Sequence, residues 1–441
     1  MIQTVTSPEL ALADYEPVVG EWPIEEIRRL ARALGQVSVQ HVNSTAVGGG
    51  VAEILVRLVP LMKDAGLNAG WNIIKGGDDF YRVTKAFHNA LHGANQPLTS
   101  ADLAVFERYQ TMNRDLVQVW GDYVVVHDPQ PLGLIEVRDA RSAPGGDGKP
   151  AARRLSRSKE AARIVSGTRW IWRCHIDISA PDPHLWAFLA PWIERYDASI
   201  FSMPEFARPL AIPQFMITPA IDPLSEKNVE LEPAEVQAVL LRHGIDPSRP
   251  VLTQISRFDR LKDPLGVIKV YRLVKKRRPD CQLVLAGGGA TDDPEGAQVL
   301  SEVMEAANDD PDLHVLLLPP FSDREINALQ RGSTVILQKS LKEGFGLTVT
   351  EALWKGKPVV GGAVGGIRLQ ILDGVTGFLA RSIEGAAERV RRLLGNPALA
   401  EELGRRGREH VRSHFLITRN LRNYLLLMLA LRGPGKDVIH I

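Results

Sequence analysis

The chain is predicted to be an α/β protein made of two doubly wound parallel-sheet domains that face each other across a cleft. Three observations carry this expectation. Strand-like apolar runs alternate with helix-periodic runs through almost all of the sequence, which is the pattern of parallel sheets covered by helices on both faces. The 441 residues exceed one ordinary core, at a prior of about 150 residues per domain. A proline-punctuated stretch with no helical period, IPQFMITPAIDPLSEKN at 212–228, separates two sets of strands and reads as a hinge.

In the first set the strands are VSVQHV (37–42), WNIIKG (71–76), YVVVHD (123–128), RWIWRCHID (169–177) and ASIFSM (198–203). Between the first two, VAEILVRLVPLMKDAG (51–66) places apolar residues at helical spacing and ends on the stop signal Gly66. Residues 139–160, DARSAPGGDGKPAARRLSRSKE, are polar, basic and rich in glycine and proline, so they read as a mobile surface loop leading into a helix. The second set is VLTQIS (251–256), CQLVLAGGG (281–289), HVLLLPP (314–320), STVILQKS (333–340) and KPVVGG (357–362). Beyond residue 384 the chain is helical, and its amphipathic last stretch, 418–432, must dock its apolar face on something, the first domain being one candidate. The expected domains are residues 1–211, with 418–441 packing back onto them, and residues 212–417.

Charge and composition narrow the function classes. With 53 basic and 52 acidic residues the formal charge is +1, which gives no bulk attraction to nucleic acid or to a membrane. Cys174 and Cys281 sit in apolar strand-like runs and read as buried thiols in a reducing, cytoplasmic setting. The opening residues hold no basic region followed by an apolar run, and the longest apolar stretch, YLLLMLALRG at 424–433, is too short for a bilayer. A soluble protein is expected.

Gly48, Gly49 and Gly50 follow the first strand and open the first helix, where backbone N–H groups and the helix dipole can receive a phosphate. A plain tight turn reads equally well. A nicotinamide cofactor fits less well, because the pattern is GGG rather than G-x-G-x-x-G and no acidic residue ends the next strand. Arg257 and Lys262, in QISRFDRLKDP after a strand, are two cations able to clasp a diphosphate. In KSLKEGFGLTVTEALWKG, Glu343 stands in the loop at a strand's carboxyl end, GFGL offers backbone N–H groups, and Glu351 lies about a turn into the following helix. Such carboxylates suit vicinal hydroxyls. A glycoside-hydrolysing pair is disfavoured, since Glu351 within a helix is badly placed to flank one bond.

Together the segments GGG (48–50), R-x4-K (257–262), AGGG (286–289), EGFGLTVTE (343–351), KPVVGGAVGG (357–366) and DGVTGFL (373–379) resemble the retaining nucleotide-sugar glycosyltransferases of family 4. Those enzymes are built from two Rossmann-like domains, the GT-B fold. The first-half segments HVNSTAVGGGVAEIL, VVVHDPQPLGL and WRCHIDIS are most similar to the trehalose glycosyltransferring synthases, which join nucleotide-activated glucose to free glucose.

The resemblance implies roles. Glu343 would bind donor-sugar hydroxyls, the N–H groups of Phe345, Gly346 and Leu347, with Thr348, would hold sugar and phosphate, and Glu351 would take the ribose. Arg257 and Lys262 would stabilise the diphosphate leaving group, helped by Gly49 and Gly50, and the loop around Pro320 and Phe321 would sit near the nucleobase. His175 would orient donor or acceptor. His127, Asp128, Gln130 and Asp177, at two strand ends, would line the acceptor sugar. The expected reaction transfers glucose with retention from ADP-, UDP- or GDP-glucose to glucose, closure about the hinge excluding water. The partners are small-molecule sugars and a nucleotide sugar, with no nucleic acid and no membrane. No metal site and no tightly bound cofactor are expected, while Mg2+ stimulation and a homodimer stay open. The rivals are a retaining trehalose phosphorylase, a sucrose-type or glycan-type transferase, and a non-catalytic nucleotide-binding protein.

Overall fold

The computed structural model describes residues 2–47, 49–94, 97–138, 167–288, 294–308 and 310–432. Gly48, Gly289, residues 139–160 and residues 433–441, each invoked above, lie outside the described residues. The chain separates into two compact units, residues 1–219 with 417–441, and residues 220–416.

The first unit is a seven-stranded sheet: β1 (Gln3–Thr4), β2 (Ser38–Asn43), β3 (Asn68–Ile73), β4 (Tyr123–His127), β5 (Arg169–Arg173), β6 (Ala198–Phe201) and β7 (Gln214–Met216). Their order is β1-β3-β2-β4-β5-β6-β7, with β1 antiparallel to β3 and every other neighbour parallel. All of β4 is buried, which is why the central strands read as near-continuous apolar runs. The chain leaves β2 for β3 on one side and returns to β4 on the other, so the order reverses between β2 and β4. Ligands of open α/β sheets bind in the crevice at such a point, outside the strands' carboxyl ends.

Two strand ends fall short of the expectation. YVVVHD stops at His127, because Asp128 takes a left-handed φ of +62° that no strand tolerates. RWIWRCHID pairs only as far as Arg173. Within the stretch read as a hinge, Gln214–Met216 joins the sheet as its edge strand β7. The helix Gly50–Asp64 forms where the apolar spacing places it, and Gly66 after it has φ +99°. The C-terminal helix Ile417–Arg432 packs against the helices Glu21–Leu34 and Gly50–Asp64 of this unit. It buries Leu421, Leu425 and Met428, pairs Arg422 Nε with Glu26 Oε2 at 2.7 Å, and its Met428 carbonyl accepts from Tyr123 Oη at 3.0 Å.

The second unit holds six parallel strands: β8 (Val251–Ile255), β9 (Gln282–Gly288), β10 (Leu313–Leu318), β11 (Val335–Gln338), β12 (Val359–Gly362) and β13 (Phe378–Ala380). Their order is β10-β9-β8-β11-β12-β13, so this sheet reverses between β8 and β11. Leu252, Leu283, Val335 and Val360 face one apolar layer with helix residues Val267, Tyr271 and Val390, while Val251, Val284 and Leu329 belong to the other. Cys174 and Cys281 are buried free thiols. No described helix is long and apolar enough to cross a membrane.

Candidate active site

The loops that leave β8 and β11 flank the reversal point of the second sheet, and each delivers one charged side chain to it. Lys262 ends a short helical turn, Arg260–Lys262, capped by Asp259, whose Oδ1 accepts from Leu261 N at 2.7 Å. Glu343 lies in the loop before the helix Leu347–Trp354. Lys262 Nζ and Glu343 Oε2 meet at 2.6 Å, with side-chain exposures of 20% and 9%. Ser340 Oγ donates to the same carboxylate oxygen at 3.1 Å. Lys262 Nζ has three N–H donors and Glu343 occupies one, so donors remain for an incoming oxyanion. Arg257, at 51% side-chain exposure, lies 3.6 Å from the Asp259 carboxylate, a loose contact.

The loop owes its shape to close backbone contacts. Gly346 takes φ +86° before the helix begins, and Gly365, at φ +43°, sits so near that a Cβ would lie 1.7 Å from the Glu343 carbonyl oxygen. Gln370 Nε2 donates to the Phe345 carbonyl at 2.6 Å, and Thr348 Oγ1 to Gln338 Oε1 at 3.2 Å. Among the described residues no acceptor takes the N–H of Phe345, Gly346 or Leu347, as expected of a helix's first turn. One turn on, Glu351 is 2% exposed, and its Oε2 is buried without a hydrogen-bond partner among the described residues. Lys227 Nζ stands 3.9 Å from Oε1. Lys355 donates to Asn228 Oδ1 at 3.0 Å and to the Glu351 carbonyl at 3.2 Å, and burial pushes its ammonium down to about 7, the charge of Glu351 opposing. A buried carboxylate oxygen with no partner among the described residues has the capacity to accept from a hydroxyl donor. Phe321, near the end of β10, is 86% exposed with φ +65°.

At the reversal point of the first sheet the groups are histidines, two aspartates and one buried arginine. Gly49 precedes the helix Gly50–Asp64 in an extended conformation, with open space where a Cβ would stand. Asp128 is fixed by three hydrogen bonds: its N–H to the Arg173 carbonyl at 2.8 Å, its carbonyl from Trp172 Nε1 at 3.1 Å, and its Oδ1 from His175 N–H at 2.7 Å. Burial raises its carboxyl to about 7, against the His175 N–H bond and the nearby Arg173. Aspartate is among the few non-glycine residues that tolerate this left-handed conformation. Gln130 is partly exposed and gives its carbonyl to Gln110, whereas Asp177 is buried and spends Oδ1 on Ser179 N at 2.9 Å.

His127 departs from its expected place among the sugar contacts. It is 2% exposed, and its Nε2 lies 3.0 Å from His41 Nδ1 while its Nδ1 lies 3.0 Å from His175 Nε2. Neither ring nitrogen remains for a hydroxyl. Burial drives His41 down to about 3 and holds His127 and His175 well below the usual histidine range, so all three rings are neutral. Arg173, 1% exposed, donates Nη2 to Ser202 Oγ at 3.3 Å and has no partner for Nε or Nη1 among the described residues. Sequence reasoning passed over His41 and Arg173. The carboxyl-end rule that selected His127 and His175 applies to both, since His41 is near the end of β2 and Arg173 ends β5. The described residues contain no cluster of three or more His, Cys, Asp or Glu able to hold a metal ion.

Residues 41–144 and 155–208 match the family described as Trehalose synthase, N-terminal domain, and residues 241–410 match Glycosyl transferases group 1. A trehalose synthase of Pyrococcus horikoshii is 43% identical over 439 residues, covering 98% of this chain and 99% of that protein. The chain belongs to the trehalose synthase family. A second family member, the trehalose synthase of Rubrobacter xylanophilus, is 44% identical over 98% of this chain and 100% of its own length. Among solved structures, an α,α-trehalose-phosphate synthase (UDP-forming) from Burkholderia xenovorans, in complex with glucose-6-phosphate, superposes with a TM-score of 0.66 at 15% identity. That likeness covers 90% of this chain and 100% of the other, and it establishes the GT-B fold. This trehalose synthase family member is therefore a glycosyltransferase, and its charged groups cluster where the second of its two parallel sheets reverses.

Proposed function

We propose that the chain makes trehalose by transferring glucose, with retention of configuration, from a nucleoside diphosphate glucose to the anomeric hydroxyl of free glucose. The observation that carries this reading is the donor-side arrangement: the Lys262–Glu343 pair at 2.6 Å, beside unpaired helix N–H groups and the buried, unpaired Oε2 of Glu351. A nucleotide sugar supplies what each lacks. Ribose hydroxyls donate to Glu351, the diphosphate accepts from Lys262, Arg257 and the N–H groups of Phe345, Gly346 and Leu347, and a sugar hydroxyl donates to Glu343. Thr348 borders this set, and the backbone at Gly49 and Gly50 adds N–H groups to the diphosphate.

No side chain stands out as a nucleophile, so the step is read as same-face displacement. The bond from C1 to the phosphate oxygen breaks, the acceptor oxygen bonds to C1, and the departing phosphate oxygen takes the acceptor's proton. Charge builds on that phosphate, and fixed cations that meet it contribute most of the rate enhancement. On the acceptor side His175, Asp128, Gln130 and Asp177 orient the second glucose, holding its hydroxyl for attack. The first unit thus serves the acceptor and the second the donor.

The test is product formation. The protein incubated with glucose and ADP-, UDP- or GDP-glucose should release the nucleoside diphosphate and trehalose in equal amounts. Trehalose formed from glucose 1-phosphate and glucose, with none from any nucleotide sugar, would identify a phosphorylase instead.

A further inference from the structure

We propose that His41 and His127 are positioning residues that hold His175 in its Nδ1–H tautomer, so that it meets the substrate as an uncharged hydrogen-bond donor. The three rings form a line through the first sheet, from β2 through β4 to the second residue after β5, with successive ring centroids 5.3 Å apart. Each link joins an Nδ1 to an Nε2 at 3.0 Å. A neutral imidazole carries one N–H and one lone pair, so each link needs one of each. Only two proton arrangements satisfy both links. Either every ring carries its proton on Nδ1 and the line donates outward, or every ring carries it on Nε2 and the line donates inward. A mixed arrangement sets two N–H groups or two lone pairs face to face. The tautomer of His175 is therefore tied to that of His41, two rings away.

The inner end of the line chooses between the two. His41 is 0% exposed, and its Nε2 has no partner among the described residues. The ring edge or face of Tyr424, from the helix Ile417–Arg432, packs against it with centroids 5.8 Å apart. The inward arrangement would strand an N–H in that enclosure, and buried N–H groups without partners are the rarest kind of unpaired backbone donor, a preference that extends to any strong donor. The outward arrangement leaves only a lone pair there. His175, the one ring of the three with solvent access, then presents Nδ1–H to whatever sits beyond it. Because burial keeps the line neutral, His175 donates to a sugar oxygen without competing for the proton that the acceptor hydroxyl must release.

The experiment uses the whole protein with 15N-labelled histidine. Long-range 1H–15N spectra separate protonated from bare ring nitrogens, and single-histidine variants assign the signals. The wild-type protein should show His175 and His127 protonated at Nδ1. His41→Asp places an acceptor where His127 now finds a donor, so His127 and His175 should both move their protons to Nε2, and kcat/KM for trehalose formation should fall at least about tenfold. His41→Asn, whose amide can still donate, should restore the wild-type signature and most of that rate. His175 protonated at Nε2 in the wild-type protein would overturn the inference, and so would a His175 signal and a rate that ignore His41→Asp. If His41→Asp does not fold, the wild-type spectrum alone decides. Only the kinetic readout rests on the proposed reaction, so failure of that reading and failure of this one are told apart.

Discussion

Replacing Lys262 by Ala tests the donor-side reading most directly. Lys262 Nζ bonds Glu343 Oε2 at 2.6 Å, and both groups are mostly shielded from water, at 20% and 9% side-chain exposure. A phosphate oxyanion about 4 Å from Nζ, at an effective dielectric near 20, is attracted by about 4 kcal/mol. If that attraction grows as the diphosphate departs, its loss slows turnover by about a thousandfold. Truncation also strips Glu343 of its cation, leaving Ser340 Oγ as its remaining side-chain donor, at a cost of about 1–3 kcal/mol in stability. The assay is initial-rate trehalose formation at saturating nucleotide glucose, with thermal unfolding followed by circular dichroism to separate lost chemistry from lost fold. A folded Lys262→Ala protein that keeps kcat within about tenfold of wild type would refute the assignment of Lys262 to the leaving group. A uniform rise in donor KM at constant kcat would do the same, since that pattern marks an interaction made equally in the ground state and the transition state.

Glu351→Ala should raise the donor KM roughly 10- to 100-fold with kcat nearly unchanged, because it removes hydrogen bonds to a part of the donor remote from the reacting bond; a fall in kcat at constant KM would contradict the ribose role. Gly365→Ala puts a Cβ 1.7 Å from the Glu343 carbonyl at a left-handed φ of +43°, so the loop must move: a loss of about 2–4 kcal/mol in urea unfolding and weaker donor binding are expected. Asp128 carries a carboxyl raised to about 7 by burial, so its folded form binds a proton more tightly than its unfolded form, and its effect on stability worsens as pH rises from about 4 to about 7. Asp128→Asn should therefore match the wild type near pH 4 and exceed it by about 2 kcal/mol near pH 8, half the limit for full burial since the side chain keeps some solvent access. Unfolding midpoints in urea at the two pH values check the sign, and a gap that does not widen with pH would count against it.

The central strands were legible because burial on both faces writes them as apolar runs; β4 and β8 are buried along their whole length. The edge strands were not. β1 is two exposed residues and β7 two partly covered residues and an exposed one, so neither leaves an apolar signature, and β7 hid inside a proline-rich stretch that looked like a connector. At the site, position at a strand's carboxyl end selected Lys262 and Glu343 separately, though they lie 81 residues apart and their 2.6 Å contact is a product of sheet order, which local patterns do not encode. The same rule misjudged His127. It predicts which end of a strand a residue occupies but not whether its side chain turns outward or into the neighbouring strand, and a histidine among valines in YVVVH is consistent with both.

The two reversal points differ in the groups they gather. The second sheet gathers Arg257, Lys262, Lys227, Lys355 and two carboxylates, strong partners whose net effect on a diphosphate depends on excluding water. The first gathers three imidazoles that burial holds well below the usual histidine range, a carboxyl that burial raises to about 7, and the buried guanidinium of Arg173. Burial holds His127 and His175 well below the usual histidine range, which makes them weak bases that direct hydrogen bonds rather than collect protons.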